Sequence, residues 1–346
     1  MVHSTGSQRR ILWTRHMAGA VAVLVLALCG CGSGGSSNSG ADAAAHVTLR
    51  TNLTPNGKDA IHYYAEQLGY FKQEGISVSV TPSPNGSTAA LDAVATGQVD
   101  FAYVDGGLTM QAIAAGKPVV AVASIMGKSL FGFFVSKNSP INSIKELAGK
   151  SVVVGSAGVG TMTSSLKYIG VNPSSIKIVG VNSSAIIPIY EKGGQEAMWT
   201  TASLASGAEA VRPSKSLLIA DEGLNTPGYV IVTNKKFLAS HEDLVRKFVT
   251  ADLKGALAAK KNPTAAIDAL LKADPQLDKK SELSTLETTF PFYCAASQKG
   301  QPYGWLAAKD FAATADAYSL DGSHDASAFE TDELFTGSNA VKVGTC

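Results

Sequence analysis

Asp59 and His62 stand three residues apart in "GKDAIHYYAEQLG" (57–69), a spacing that puts two side chains on one turn of a helix. A carboxylate and an imidazole so placed either form a structural pair or reach a ligand together. Lys58 beside them reads as an exposed lysine at a helix start. Further on, "PNGSTAALD" sets Ser87 and Thr88 at the start of a helical run. The free N–H groups of such a start, with two hydroxyls beside them, hold anionic or strongly polar groups without a formal positive charge. Equally, Ser87 serves as a cap for its own helix. "GSAGVGTMTSS" repeats the arrangement, with Gly158 and Gly160 ahead of Thr161, Met162 and Thr163. It is not a dinucleotide loop, since G-x-G-x-x-G would need glycine at 163, where threonine stands. Asp105 closes "DFAYVD" before two glycines. There it either meets a ligand at a strand end or caps the next helix.

None of these groups completes a catalytic motif. G-x-S-x-G, H-E-x-x-H, C-x-x-C and the phosphate loop are all missing. No metal and no cofactor is expected, and the chain is not read as an enzyme.

The N-terminus points to export. Residues 1–16 carry Arg9, Arg10 and Arg15 without an acid, and "MAGAVAVLVLAL" (17–28) is apolar or small. That is the pattern of a secretory signal, and the apolar run is short for a membrane span. Leu28-Cys29-Gly30-Cys31 resembles a bacterial lipoprotein signal, with a small residue directly before the cysteine that is acylated. The resemblance makes residues 1–30 the signal and Cys31 the lipid-bearing N-terminus. The alternative is an ordinary cleaved signal with two incidental cysteines. The Gly/Ser-rich stretch 31–45 is a flexible tether.

Composition narrows the function. The whole chain has net charge +1, and losing the three arginines of the signal leaves about −2. Such a balance gives no footprint for nucleic acid or an anionic membrane surface. With 45% apolar residues, the chain supports one large domain or two lobes. Beyond the anchor, Cys294 and Cys346 remain. In an oxidising compartment this even pair suggests a disulfide tying the C-terminus to the fold, against the alternative of two separate thiols.

The elements that must position these groups alternate. "HVTLRTN", "ISVSV", "VDFAYV" and "PVVAVASI" read as strands, and helical runs between them stop at Gly69 and Gly97. The same alternation continues beyond residue 140, which predicts α/β sheets with helices on both faces. After residue 235 the pattern turns helical. Ser240 is expected to cap the helix from "HEDLVRKF", and Asn262 with Pro263 to open the next. "LFGFFVSKNSP" (130–140) and "TPGYVIVTNKKF" (226–237) serve either as core strands or as crossovers between lobes. Two crossovers would make residues 46–129 and 229–346 one discontinuous lobe and 130–228 a second, with a ligand cleft between them at the strand ends.

"AEQLGYFKQEGISVSVTPSPNGSTAALDAVATGQVDFAYVDGG" and "KNSPINSIKELAGKSVVVGSAGVGT", in this order, resemble the type II periplasmic solute-binding proteins. The likeness covers about residues 46–275. It is to the group binding alkanesulfonates, taurine, nitrate and thiamine pyrimidines, which includes the fungal thiamine-pyrimidine synthases. It implies a two-lobed α/β fold whose lobes are mixed, mostly parallel sheets flanked by helices. It also implies a monomer that captures a small solute for an ABC permease and its ATPase, at the outer face of the cell membrane. The solute class is a small organic anion, sulfonate or carboxylate, or a small heterocycle. Trp199 aligns roughly with an aromatic position near the family's cleft, though core packing is the other reading. The pyrimidine-binding relatives open with Asp-Trp-x-Pro-Asn followed by His. The matching stretch here is Asn52-Leu53-Thr54-Pro55-Asn56, with Asp59 in place of that His. The resemblance thus carries Asn52 into the candidate solute-binding set, with Asp59, His62, Ser87, Thr88, Asp105, Thr161, Met162 and Trp199, and speaks against thiamine pyrimidine itself. Two other readings stand beside uptake. One is a synthase-like enzyme, which in the fungal relatives carries a cysteine-rich motif this chain lacks. The other is a binding protein used for sensing.

Overall fold

The computed structural model describes residues 44–209, 211–320 and 326–346. The expected signal and Cys31 lie outside the described residues. The first sheet is built from β1 (Ala45–Asn52), α1 (Ala60–Gln67), α2 (Tyr70–Gln73), β2 (Ile76–Ser83), α3 (Gly86–Ala95), β3 (Phe101–Asp105), α4 (Gly106–Ala114) and β4 (Val119–Met126). The chain then moves to a second sheet. There it forms β5 (Phe131–Ser136), β6 (Ser151–Gly155), α5 (Val159–Tyr168), β7 (Lys177–Val181), α6 (Ile186–Glu191), β8 (Ala197–Thr201), α7 (Ala202–Ala205) and β9 (Ser214–Leu218). It returns through β10 (Tyr229–Asn234) and ends in α8 (Lys235–Ser240), α9 (Glu242–Lys261), α10 (Pro263–Ala273), α11 (Lys279–Thr289) and α12 (Ala308–Tyr318).

One plan is used twice. The first sheet runs β2-β1-β3-β10-β4 and the second β7-β6-β8-β5-β9. In each, four of the five strands run one way, and the strand fourth in the order runs antiparallel to both its neighbours. That fourth strand, β10 or β5, is the one arriving from the other sheet. Each of the two apolar stretches left open in sequence is therefore a core strand that follows a crossover. The result is the two-lobed α/β architecture that the alternation predicts.

Burial explains why several strands read as continuous apolar runs. All residues of β3, β4 and β8 are buried, as helices cover both faces of the sheets. In the first lobe, Phe101 of β3 stacks on Phe248 of α9 with ring centroids 3.9 Å apart, and Phe248 on Phe71 of α2 at 5.7 Å. The second lobe has its own core around Phe133, Val154, Leu166 and Trp199.

Helix ends follow the sequence signals with one exception. Gly69 and Gly97 take the left-handed backbone, φ +71° and +72°, that ends a helix cheaply without a Cβ. Asn262 caps α10 by accepting from the Ala265 amide, with Pro263 at the first position. Ser240 does not cap α9. It is the last residue of α8, and its hydroxyl donates to the carbonyls of Lys236 and Phe237. At the other end of the chain, the Cys294 and Cys346 sulfurs sit at bonding distance, 2.19 Å, with their Cα atoms 5.6 Å apart.

Candidate functional site

Ligands of open α/β sheets lie beyond the carboxyl ends of the parallel strands. In the first lobe that edge is built by the chain leaving β1. Asn52 ends the strand, and Leu53 then takes φ +58°, a left-handed conformation that is strained for a bulky side chain. The twist leaves Leu53 38% exposed, against Gly86 at the start of α3. A single 3-10 turn follows, Gly57–Asp59, closed at both ends. The Asn56 side chain accepts from the Lys58 amide at 3.2 Å, while Asp59 accepts from the Asn56 amide at 3.0 Å.

That turn buries charge. Lys58 is 2% exposed, where the sequence suggests an exposed lysine. Its ammonium donates to Asp59 at 2.6 Å and lies 5.5 and 5.4 Å from the ring centroids of Tyr103 and Tyr229. A carboxylate and two aromatic faces offset what burial costs the cation. His62 does not pair with Asp59. Its Nδ1 lies 2.7 Å from Asp252 of α9, both side chains fully buried, and its ring meets Tyr103 edge-on at 4.8 Å. The i, i+3 spacing loses here because α9 packs directly on α1 and brings a carboxylate from 190 residues away.

The remaining first-lobe candidates gather around this turn. Asn52 donates to the Tyr229 hydroxyl at 3.0 Å, and its own carbonyl oxygen is buried with no hydrogen-bond partner among the described residues. Ser87 accepts from the Asp105 amide at 3.3 Å, and Thr88 is exposed. The start of α3 has no side-chain cap, so Ser87 is not spent on its own helix. Asp105 caps α4 through the Leu108 amide at 2.7 Å. Burial pushes its carboxyl up to about 6, against the pull of the helix amides.

The second lobe's edge is neutral. After β6 a 3-10 turn at Ser156–Gly158 leads into α5, which starts without a side-chain cap. Gly160 is exposed and Thr161 half-buried. Met162, the next residue, turns inward and is fully buried in the lobe's core. Trp199 is 2% exposed and packs on Phe131 and Phe133, with ring centroids at 5.9 and 4.8 Å. Its indole nitrogen lies beneath Gly158, 3.8 Å from where a Cβ there would sit.

The structure thus gathers Asn52, Asp59, Ser87 and Asp105 at one edge and places Thr161 at the other, while His62, Met162 and Trp199 stand behind these edges in the cores. Sequence reasoning misses Tyr229 and the burial of Lys58. Nothing in the spacing of "NGKDA" separates a buried lysine from a solvated one; only the tyrosines from β3 and β10 decide it. Among the described residues, no three His, Cys, Asp or Glu side chains gather as metal ligands.

Residues 56–266 match the family described as NMT1/THI5 like, which is most of the chain. The chain belongs to that family. Within the reach of this NMT1/THI5-like match lie the buried turn, both uncapped helix starts and the whole second lobe. A riboflavin-binding protein, RibY, of Chloroflexus aurantiacus is 25% identical over 256 residues, covering 71% of this chain and 72% of the relative. A 4-amino-5-hydroxymethyl-2-methylpyrimidine phosphate synthase of Legionella pneumophila is also 25% identical, covering 72% and 80%. Among solved structures, the periplasmic aliphatic sulphonate binding protein SsuA of Escherichia coli superposes with a TM-score of 0.62 at 16% identity, covering 80% of this chain and 86% of that one. This last likeness confirms the periplasmic-binding-protein fold.

Proposed function

We propose that this NMT1/THI5-like chain is a lipid-anchored, extracytoplasmic solute-binding protein of an ABC importer. It captures a small organic anion, sulfonate or carboxylate, or a small heterocycle, by closing its two lobes on it. The observation that carries this reading is the pair of matching strand edges, each ending in a helix start of eight or more residues without a side-chain cap. Those amides are donors for an anionic or polar group without a free cation, and Lys58 is neutralised by Asp59. Asn52, Ser87, Thr88, Asp105, Tyr229 and Thr161 form the proposed contact set, with Asp59 and His62 fixing the first edge. Residues 46–129 and 229–346 form one lobe and 130–228 the other. The anchor at Cys31 keeps the binder near its permease and ATPase, raising the local concentration. The pair Cys294–Cys346 is oxidised in that compartment.

The riboflavin binder and the sulphonate binder support uptake. The synthase relative supports an enzyme on the same fold, and product formation from a pyrimidine precursor would establish it. The deciding experiment is thermal unfolding of the protein with taurine, longer alkanesulfonates, nitrate, hydroxymethyl-pyrimidine, riboflavin and aromatic carboxylates, together with mass spectrometry of anything released on denaturation. A solute at 100 times its Kd stabilises by about 2.7 kcal/mol, several degrees in Tm. No shift with any solute, and nothing released, counts against the reading.

A further inference from the structure

The two crossovers between the lobes run side by side, and a third element lies along them. Asn225, in the return crossover, uses its whole carboxamide there. Its nitrogen donates to the Gly127 carbonyl at 2.9 Å and to Asp310 at 2.7 Å, and its oxygen accepts from the Ser129 amide at 2.9 Å. One side chain therefore joins both crossovers to the first turn of α12. Asp310 is 9% exposed and also accepts from the Ser297 hydroxyl. At the other end of α12, the Tyr318 hydroxyl meets Thr226 of the return crossover at 3.4 Å and reaches Ser165 of α5. Between these ends α12 touches both lobes. Phe311 and Ala315 sit in a first-lobe core, while Ala313 and Ala317 pack against the core of the second. The outgoing crossover is held from its far side as well, since the Gly127 and Lys128 amides donate to the carbonyls of Tyr293 and Phe292 at 3.1 and 3.0 Å.

We propose that α12 is a third connection between the lobes, and that Asn225 and Asp310 are the positioning residues through which it sets their angle. The proposal rests on the two-lobe closure described above. None of the three groups that Asn225 engages can move relative to the others without breaking a hydrogen bond in a partly buried setting, where solvent replaces a lost bond only in part. A hinge made of two bare strands would bend freely; this one is stiffened at its midpoint.

The test needs no solute, so a failed solute panel leaves it intact and its failure leaves the importer reading intact. Donor and acceptor dyes are attached through non-canonical amino acids at exposed Glu66 of the first lobe and Lys167 of the second, in the full chain. Single-molecule transfer efficiency then reports the distance between lobes. Asn225→Ala should change the ratio of wide to narrow populations by roughly tenfold, the value of about one net hydrogen bond. Asp310→Asn, which keeps the shape, should move it in the same direction by less. Asn225→Ala and Asp310→Asn distributions that superimpose on the wild type, with Tm alone reduced, would overturn the proposal. If Asn225→Ala does not fold, Asp310→Asn with Ser297→Ala carries the same decision.

Discussion

At the carboxyl edge of its first sheet the protein buries charge, and at the same edge of the second it exposes glycine and hydroxyls. Lys58, Asp59, His62, Asp105 and Asp252 are all under 9% exposed. Between residues 130 and 228, by contrast, no described Asp, Glu, Lys, Arg or His is buried. The strand order follows the same plan on both sides, so the difference lies in the turn at Gly57–Asp59 and the side chains it brings together, not in the sheets. Buried charge is held only by exact partners, and partners hold the backbone that carries them. The first edge is therefore preorganised, its turn locked before any solute arrives. The second edge, with free amides and little to hold them, is the adaptable half.

The largest test of that contrast is the buried pair behind the first edge. Removing either member leaves an uncompensated polar group in the core, so His62→Ala or Asp252→Ala should cost about 3–5 kcal/mol in chemical unfolding. The double variant should lose less than the sum, since the two groups share one interaction. A loss below about 1 kcal/mol for either single change would mean that the first lobe is not held by its charges.

Acid and base should separate the lobes next. Asp105 titrates near 6 in the fold against 3.8 in the unfolded chain, so the folded protein binds its proton more tightly. Its contribution is fully present below pH 3.8 and is lost as pH rises through 6, on the order of 3 kcal/mol. Glu196 in the second lobe has the opposite sign. The Ser151 hydroxyl and amide hold it below its ordinary 4.5, so its stability is present above that value and falls away in acid. Asp105→Asn keeps the cap acceptor and should flatten the stability profile between pH 4 and 6. An unchanged slope there would transfer the effect to Asp332, which burial also raises to about 6.

How much of this is legible in sequence differs between the lobes for physical reasons. In the first, β1, β2 and β3 announce themselves, because each is rich in β-branched or aromatic residues and bounded by glycine or asparagine. In the second, β8 does not: "AMWTT" is buried on both faces and shows no alternation, so it reads like the helix or loop beside it. The helix starts at Ser87 and Thr161 are visible as clusters of small residues, and Asp105 as a carboxylate between strand and glycines. The partners are not visible. Asp252 reaches His62 from 190 positions away, and Tyr229 reaches Asn52 from 177. Local spacing offers Asp59 to His62, and tertiary packing overrules it.

Two glycines sharpen the comparison at smaller energies. Gly57 opens the locked turn of the first lobe, and a Cβ there would sit 2.0 Å from the Glu282 carbonyl oxygen of α11. The Gly57 amide also donates to the Glu282 carboxylate at 2.5 Å. Backbone cannot yield as a side-chain tip can, so Gly57→Ala should destabilise by about 1–3 kcal/mol, measured by denaturant midpoint. A neutral result would show that α11 can lift from the turn at no cost.

Gly160 should behave in the opposite way. It lies in the first turn of α5, and nothing stands within 4 Å of a Cβ added there. Alanine loses less chain entropy than glycine on entering a helix, so Gly160→Ala should stabilise the fold by about 0.5–1 kcal/mol. If the second edge takes the solute on the amides of α5, the same methyl group stands where the solute approaches, and affinity for whichever solute stabilises the wild type should drop. Higher Tm with weaker binding is the signature of a glycine kept for access. Higher Tm with unchanged binding would move the contact away from α5, and leave the first, locked edge to do most of the recognition.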